Sequence, residues 1–303
     1  MNKLIIITGT TATGKTETAI NLAKEIDGEI ISADSMMVYK YMDIGTAKPT
    51  KEEMEGIPHY LIDIRYPNEF FDVKDFISLA KEKIKEITEK GKTAIVVGGT
   101  WLYINSLLYG LSEIPTADWN LRNKLYKESS ELLYEKLKEV DPVYAEKIHP
   151  NDKKRVVRAL EVYYLTGKPF SSFHKNEDKP LYDFIGFVFE RDRNQIMERI
   201  EKRVDKMIEK GLLDEVKFLL DKGYENSITS MQAIGYKELI PYFKGKCSLE
   251  EAKENIIKNT KAFAKRQIRT FRKKFKDDKW YFIDIKDEYN LVNYILEIIK
   301  RRK

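Results

Sequence analysis

The clearest chemical signal lies near the N-terminus, where Gly9-Thr10-Thr11-Ala12-Thr13-Gly14-Lys15-Thr16 matches G-x-x-x-x-G-K-[ST]. The glycines let backbone N–H groups curl around phosphate oxygens, and a helix starting here adds its partial positive end. Lys15 adds a full charge, and the Thr16 hydroxyl can ligate Mg²⁺. The chemistry on offer is the holding of a polyphosphate; the bland alternative is a Gly-rich turn between a strand and a helix. Asp34 ends the apolar run 30–33 and is open to three readings: a metal ligand, a base beside the phosphates, or a turn or N-cap aspartate. Gly98-Gly99-Thr100 follows the run 94–97 in the same way. There the glycines permit close backbone approach to a ligand, and Thr100 can cap the next helix. A P-loop ATPase usually carries a metal-binding acid at such a strand end, and Val97 is followed by none.

These residues need strands and helices to hold them. Apolar, β-branched runs at 4–7, 29–33, 60–64 and 94–97 predict strands buried on both faces, with two more at 184–189 and 280–283. Helical periodicity between them, as over 17–26, 76–90 and 101–108, predicts βαβ crossovers and a parallel sheet. Between the fourth and fifth strands the pattern is helical throughout, including 121–140 and 155–165. This predicts a helical insertion over 113–180, hinged at 114–118 and 176–180, with residues 1–112 and 181–303 forming one α/β core. A last surface helix is expected over 291–303.

Length and composition agree with a folded α/β protein of two units. The chain has 303 residues, 42% of them hydrophobic, enough for a sizeable core. Its 54 Lys+Arg against 49 Asp+Glu leave a net charge of only +5, so a nucleic-acid partner has to be argued from where the charges sit. The single cysteine, Cys247, excludes a disulfide framework and a multi-cysteine zinc module within the chain. His59, His149 and His174 have no metal-binding spacing and read as structural. No apolar stretch approaches a membrane span, and 4–7 is too short for a signal-peptide core, so a cytoplasmic protein with no membrane partner is expected. Residues 258–276 hold nine Lys/Arg and no acid, with Ala264, Ile268, Phe271 and Phe275 as an apolar stripe. This reads as a docked helix with a cationic face, either merely solvated or facing phosphates. Trp101 and Tyr103 fit either a core position or the wall of a ligand site.

Taken in order, these motifs resemble the tRNA dimethylallyltransferase (tRNA isopentenyltransferase) family. The resemblance runs through Gly9–Thr16, Ile31-Ser32-Ala33-Asp34-Ser35, Met42-Asp43-Ile44-Gly45-Thr46-Ala47-Lys48-Pro49 and Pro58-His59-Tyr60-Leu61-Ile62-Asp63. It continues through Gly98-Gly99-Thr100, His149-Pro150-Asn151-Asp152, Arg158-Ala159-Leu160-Glu161-Val162 and the segment 199–207. The last blocks are Ala233-Ile234-Gly235-Tyr236-Lys237 and Ala264-Lys265-Arg266-Gln267. One position departs from the pattern: Met37 stands where many members carry Gln.

The resemblance implies a P-loop kinase-like core with a helical insertion. It also implies transfer of a dimethylallyl group from dimethylallyl diphosphate to N6 of the adenine on the 3′ side of the anticodon, with Mg²⁺. In that reaction Asp34 is the general base, and Thr100 contacts the target nucleotide and orients its amine. The loop Gly9, Thr10, Thr11, Ala12, Thr13, Gly14, Lys15 and Thr16 binds the diphosphate with Arg203, Arg199 being a weaker candidate one turn earlier. The implied contacts to the anticodon stem-loop of tRNA are Asp34, Ser35, Met36, Met37, Thr100 and Arg122, then Lys154, Arg155, Val156, Val157 and Arg158, then Gln232, Ala233, Ile234, Gly235, Tyr236 and Lys237. A monomer is expected. Three other readings compete: an isopentenyltransferase acting on free adenine nucleotides, a P-loop kinase or ATPase, and a non-catalytic RNA-binding module. The helical insertion and the basic 258–276 segment favour a large polyanionic acceptor over a free nucleotide.

Overall fold

A computed structural model describes residues 3–173, 179–285 and 290–302. In chain order the elements are β1 (Leu4–Gly9), α1 (Lys15–Ile26), β2 (Gly28–Ser32), β3 (His59–Tyr60), α2 (Val73–Glu89), β4 (Thr93–Val97), α3 (Trp101–Tyr109), α4 (Trp119–Leu125), α5 (Ser130–Val140) and α6 (Pro142–Ala145). They continue with α7 (Lys153–Thr166), β5 (Phe184–Glu190), α8 (Arg193–Glu209), α9 (Leu212–Asp221), α10 (Tyr236–Phe243), α11 (Leu249–Lys274), β6 (Trp280–Asp284) and α12 (Leu291–Arg301). The chain divides into two compact units, residues 1–108 with 181–303, and residues 109–180.

In the first unit all six strands pair in parallel, in the order β3-β2-β4-β1-β5-β6. Such a sheet needs cover on both faces, which is why its strands read as unbroken apolar runs. Ile5, Ile7, Ile95 and Phe187 point to one face and pack with Ile20 and Leu22 of α1 and Ile295 of α12. The alternating residues Leu4, Ile6, Ile31 and Val96 are just as buried, so the other face is covered too. There α2 packs on β2 and β4, presenting Phe76, Ala80, Ile84 and Ile87 as one helical stripe. Burying a side chain such as Phe76 is worth about 1.5–3 kcal/mol. A capping box fixes where α2 starts: Asp72 accepts from the N–H groups of Lys74 and Asp75, and Asp75 accepts from Asp72 N–H.

Two elements differ from expectation. The strand expected over 60–64 stops at Tyr60, because Leu61 (φ 63°) and Asp63 (φ 55°) turn into the left-handed region. Asp63 is drawn aside to accept from the Lys48 ammonium at 2.6 Å. The pattern over 121–140 is two helices, since the Ser129 side chain accepts from Leu132 N–H and starts α5 afresh.

The second unit begins at Tyr109, slightly ahead of the expected Glu113, and its regular elements are all helices among the described residues. Its core gathers Leu125, Leu133, Leu137, Ala145, Val156, Val157 and Leu160. At its polar centre the fully buried Glu161 accepts from Arg122 Nε and Nη2 at 2.9 Å each, from Asp118 N–H at 2.7 Å, and from Arg158 Nη1. Arg158 Nη2 also donates to Pro115 O at 2.6 Å. Of the hinge expected at 176–180, residues 176–178 lie outside the described residues, as does His174.

Candidate active site

The phosphate loop joins β1 to α1, and its shape is set by backbone positions side chains rarely take. Gly14 has φ 86°, and Ala12 tolerates φ 64°. Gly9 passes so close to β5 that a Cβ there would lie 2.4 Å from Phe189 O. The loop is tied internally: Thr13 Oγ1 donates to Thr10 O at 2.8 Å, and Lys15 Nζ donates to the same oxygen at 2.5 Å. From α8, Arg199 Nε donates to Ala12 O at 3.0 Å, so Arg199 braces the loop's back.

A cavity of about 830 Å³ opens at this end of the sheet. Residues 11–16 form its floor, and the strand-end turns 34–37 and 98–100 rise beside them. Arg203 of α8 and segments 45–47 and 232–235 complete the walls, and all of these belong to the first unit. Val204, Met207, Ile234, Ile256 and Phe263 add an apolar side. The two cations crowd each other. The Lys15 ammonium is pushed down to about 7 by burial and by the nearby Arg203, against the opposing pull of Asp34. Burial also lowers the Arg203 guanidinium, again opposed by Asp34. Two close cations facing one carboxylate make a site short of negative charge.

Asp34 is held by its own turn: Oδ1 accepts from Met36 N–H at 2.8 Å and Met37 N–H at 3.3 Å. Thr100 directly precedes α3, its carbonyl accepting from Tyr103 N–H at 3.0 Å and Ile104 N–H at 3.3 Å, while its hydroxyl accepts from Ser35 N–H at 3.3 Å and joins the two strand-end turns. Gly98 is there for proximity, since a Cβ would stand 2.2 Å from Ala33 O. Tyr103 belongs to the core, its ring stacked on Phe76 with centroids 4.4 Å apart. Trp101 is partly exposed beneath the Lys274 ammonium, 5.3 Å from its ring.

The other expected contacts are scattered in kind. Gln232, Ala233, Ile234, Gly235 and Lys237 line the cavity, whereas Tyr236 is fully buried behind it. In the second unit Lys154 and Arg155 are exposed, but Val156 and Val157 are fully buried in the helical core. Their side chains cannot form a contact surface. Arg122 and Arg158 are both engaged by Glu161.

Three residues that organise the cavity had no assigned role. Gln267 of α11 accepts from Thr11 N–H at 3.0 Å and donates to Gly99 O at 3.1 Å, joining the phosphate loop to the β4–α3 turn. Lys48 is buried and donates to Tyr39 O at 2.9 Å and to Asp43 and Asp63. Glu215 of α9 accepts from the N–H groups of Asp43, Ile44 and Gly45 and from the Tyr236 hydroxyl. Gln267 and Lys48 lay in recognisable motifs, though without a role; Glu215 lay in none, and its bonds to the 43–45 loop are tertiary and leave no local trace.

The family model described as IPP transferase matches residues 37–274. The chain belongs to this family. A tRNA dimethylallyltransferase of Sulfurihydrogenibium sp. (strain YO3AOP1) is 59% identical over 301 residues, covering 99% of this chain and 96% of its own. The full-length tRNA isopentenylpyrophosphate transferase of Bacillus halodurans is 41% identical with a TM-score of 0.75, covering 100% of this chain and 97% of its own. A eukaryotic dimethylallyltransferase, in a study of its action on tRNA, superposes with a TM-score of 0.82 at 31% identity. That match covers 98% of this chain and 78% of the eukaryotic one. The P-loop-type α/β core is therefore a property of the family. Among the described residues no helix is long and apolar enough to cross a membrane.

Proposed function

We propose that this protein transfers the dimethylallyl group of dimethylallyl diphosphate to N6 of the adenine on the 3′ side of the anticodon of a tRNA, releasing diphosphate. The observation that carries this reading is the joint lining of one cavity by the phosphate loop, Lys15, Arg203 and Asp34. The backbone N–H groups of the loop, the Lys15 ammonium and the Arg203 guanidinium hold the diphosphate. As the allylic C–O bond breaks, its electron pair passes to a diphosphate oxygen, and these donors stabilise the charge that develops there. Losing one such donor commonly costs about 10²–10³ in rate. The apolar side around Met207, Ile256 and Phe263 receives the hydrocarbon and keeps water from it.

The N6 nitrogen forms the new C–N bond and gives up one proton to Asp34, whose Oδ1 is fixed by the 34–37 turn. Thr100, bonded to that turn, orients the amine. An adenine in a loop must be splayed out of its stack to enter. Exposed Lys154, Arg155, Gln232 and Lys237 are offered to the RNA.

The donor set fits Mg²⁺. Thr16 and Asp34 bring hard oxygen atoms to the same cavity, and no cluster of three or more His, Cys, Asp or Glu suited to a metal is found among the described residues. Thr16 would hold the ion, which would supply charge neutralisation on the leaving group. The same reading makes the protein cytoplasmic, because its acceptor resides there.

The test is nucleoside mass spectrometry after incubation with Mg²⁺, dimethylallyl diphosphate and either an anticodon stem-loop or AMP. Dimethylallyl adenosine in the stem-loop alone is expected. Modification of AMP instead, or ATP turnover without a prenyl donor, overturns the assignment.

A further inference from the structure

Two walls of the cavity, the 45–47 loop and the 232–235 segment, are far apart in sequence and are linked by a residue outside the cavity. Glu215 of α9 accepts from Asp43 N–H and Ile44 N–H at 2.8 Å each on Oε2. On Oε1 it accepts from Gly45 N–H at 3.0 Å and the Tyr236 hydroxyl at 2.6 Å. Three successive N–H groups converging on one point form a nest of the kind that binds anions. Here a carboxylate of the protein fills it, so the loop's shape is fixed before any ligand arrives. Tyr236 directly follows the second wall and, buried behind it, packs against the first: a Cβ on Gly45 would lie 2.5 Å from its ring. On its far side the loop is held by Lys48, which bridges Tyr39 O, Asp43 and Asp63.

We infer that Glu215 is a positioning residue for the acceptor: through its four hydrogen bonds it sets the spacing of the 45–47 and 232–235 walls between which the RNA adenine is received. This rests on the functional reading above. The donor half of the cavity stands on other supports, namely the loop 9–16, Lys15 and Arg203. The brace therefore governs one substrate and not the other. Glu215→Gln keeps the size but not the pattern. With its amide nitrogen at the Oε2 position it faces two N–H donors; turned round, it loses Gly45 N–H and must reverse the tyrosine bond. Gly45→Ala attacks the same spacing without touching Glu215, by forcing the Tyr236 ring away.

The experiment compares wild type, Glu215→Gln and Gly45→Ala in two measurements. One is kcat/KM for dimethylallyl transfer to an anticodon stem-loop; the other is the Kd of dimethylallyl thiodiphosphate. Misplacement of a reacting group by about 1 Å can cost 10²-fold. Both variants are expected to lose about tenfold or more in kcat/KM for RNA. The Kd of the donor analogue should stay within about twofold, as its supports are untouched. A general structural role would weaken both together, and that parallel loss overturns the inference. So does RNA turnover within about twofold of wild type in both variants. Absence of transfer by the wild-type protein overturns the functional reading and this inference with it.

Discussion

Lys15 is poised so that donor binding should draw in a proton. Its ammonium is pushed down to about 7 in the free site by burial and Arg203, against the pull of Asp34. A bound diphosphate supplies the missing negative charge and returns the amine toward its ordinary value of about 10.4. With a free-state value near 7, the neutral fraction is about one tenth at pH 6, one half at pH 7 and nine tenths at pH 8. The proton uptake on binding follows the same fractions. The association constant should be flat below about pH 6 and fall about tenfold per pH unit above pH 8, or about 1.4 kcal/mol per unit. The assay is calorimetric titration of dimethylallyl thiodiphosphate at pH 8 in two buffers of different ionisation enthalpy. Lys15→Arg, whose guanidinium stays charged, serves as the reference that removes the ligand's own titration. Equal proton uptake by wild type and Lys15→Arg would refute the reasoning. Stability carries the matching sign. The free folded protein binds fewer protons than the unfolded chain between about pH 7 and 10, so Lys15 makes its thermal midpoint rise with pH across that window. Saturating donor analogue should abolish that contribution.

Three further outcomes are expected. Asp34→Asn keeps an acceptor for the 34–37 turn but cannot take the proton, so kcat should fall about 10²–10⁴-fold while donor affinity is unchanged or improved. Single-turnover rates within about tenfold of wild type would remove Asp34 as the base. Glu161→Ala leaves the Arg122 and Arg158 guanidinium groups without their buried partner. It should cost the helical unit about 3–5 kcal/mol in denaturant unfolding, and a loss below about 1 kcal/mol would mean that water or another acceptor replaces it. RNA affinity should fall linearly with salt on logarithmic axes, with a slope near −0.7 per phosphate neutralised on single strands. Removing the exposed Arg266 and Arg269 of α11 should flatten that slope, and an unchanged slope would take α11 off the RNA surface.

Local patterns announce local structure, and the boundaries of that rule are visible here. β1, β2, β4 and β5 are legible because a doubly covered parallel strand must be apolar along its whole length. The phosphate loop and Asp34 are legible because their geometry is encoded in consecutive residues. The segment 60–64 has strand composition, yet its conformation past Tyr60 is decided by Lys48, which no local window contains. Val156 and Val157 sit beside exposed Lys154 and Arg155 in the chain, but helical rotation turns them into the core. Gln267 on α11 and Glu215 on the short helix α9 carry no local mark of their bonds; only the fold brings backbone amides to them.

Leu181 N–H donates to Leu108 O at 2.6 Å, so the chain leaves and re-enters the sheet-bearing unit at one point. Everything from 109 to 180 is thus a closed excursion, and β5 can take its place beside β1 only after that excursion has looped back. The cost of closing a loop grows only with the logarithm of its length, and pre-folding of the helices shortens the effective tether. Early helix formation in the excursion should therefore speed assembly of the sheet. A short turn spliced between 108 and 181 would give the sheet-bearing unit a simpler path to the same strand order.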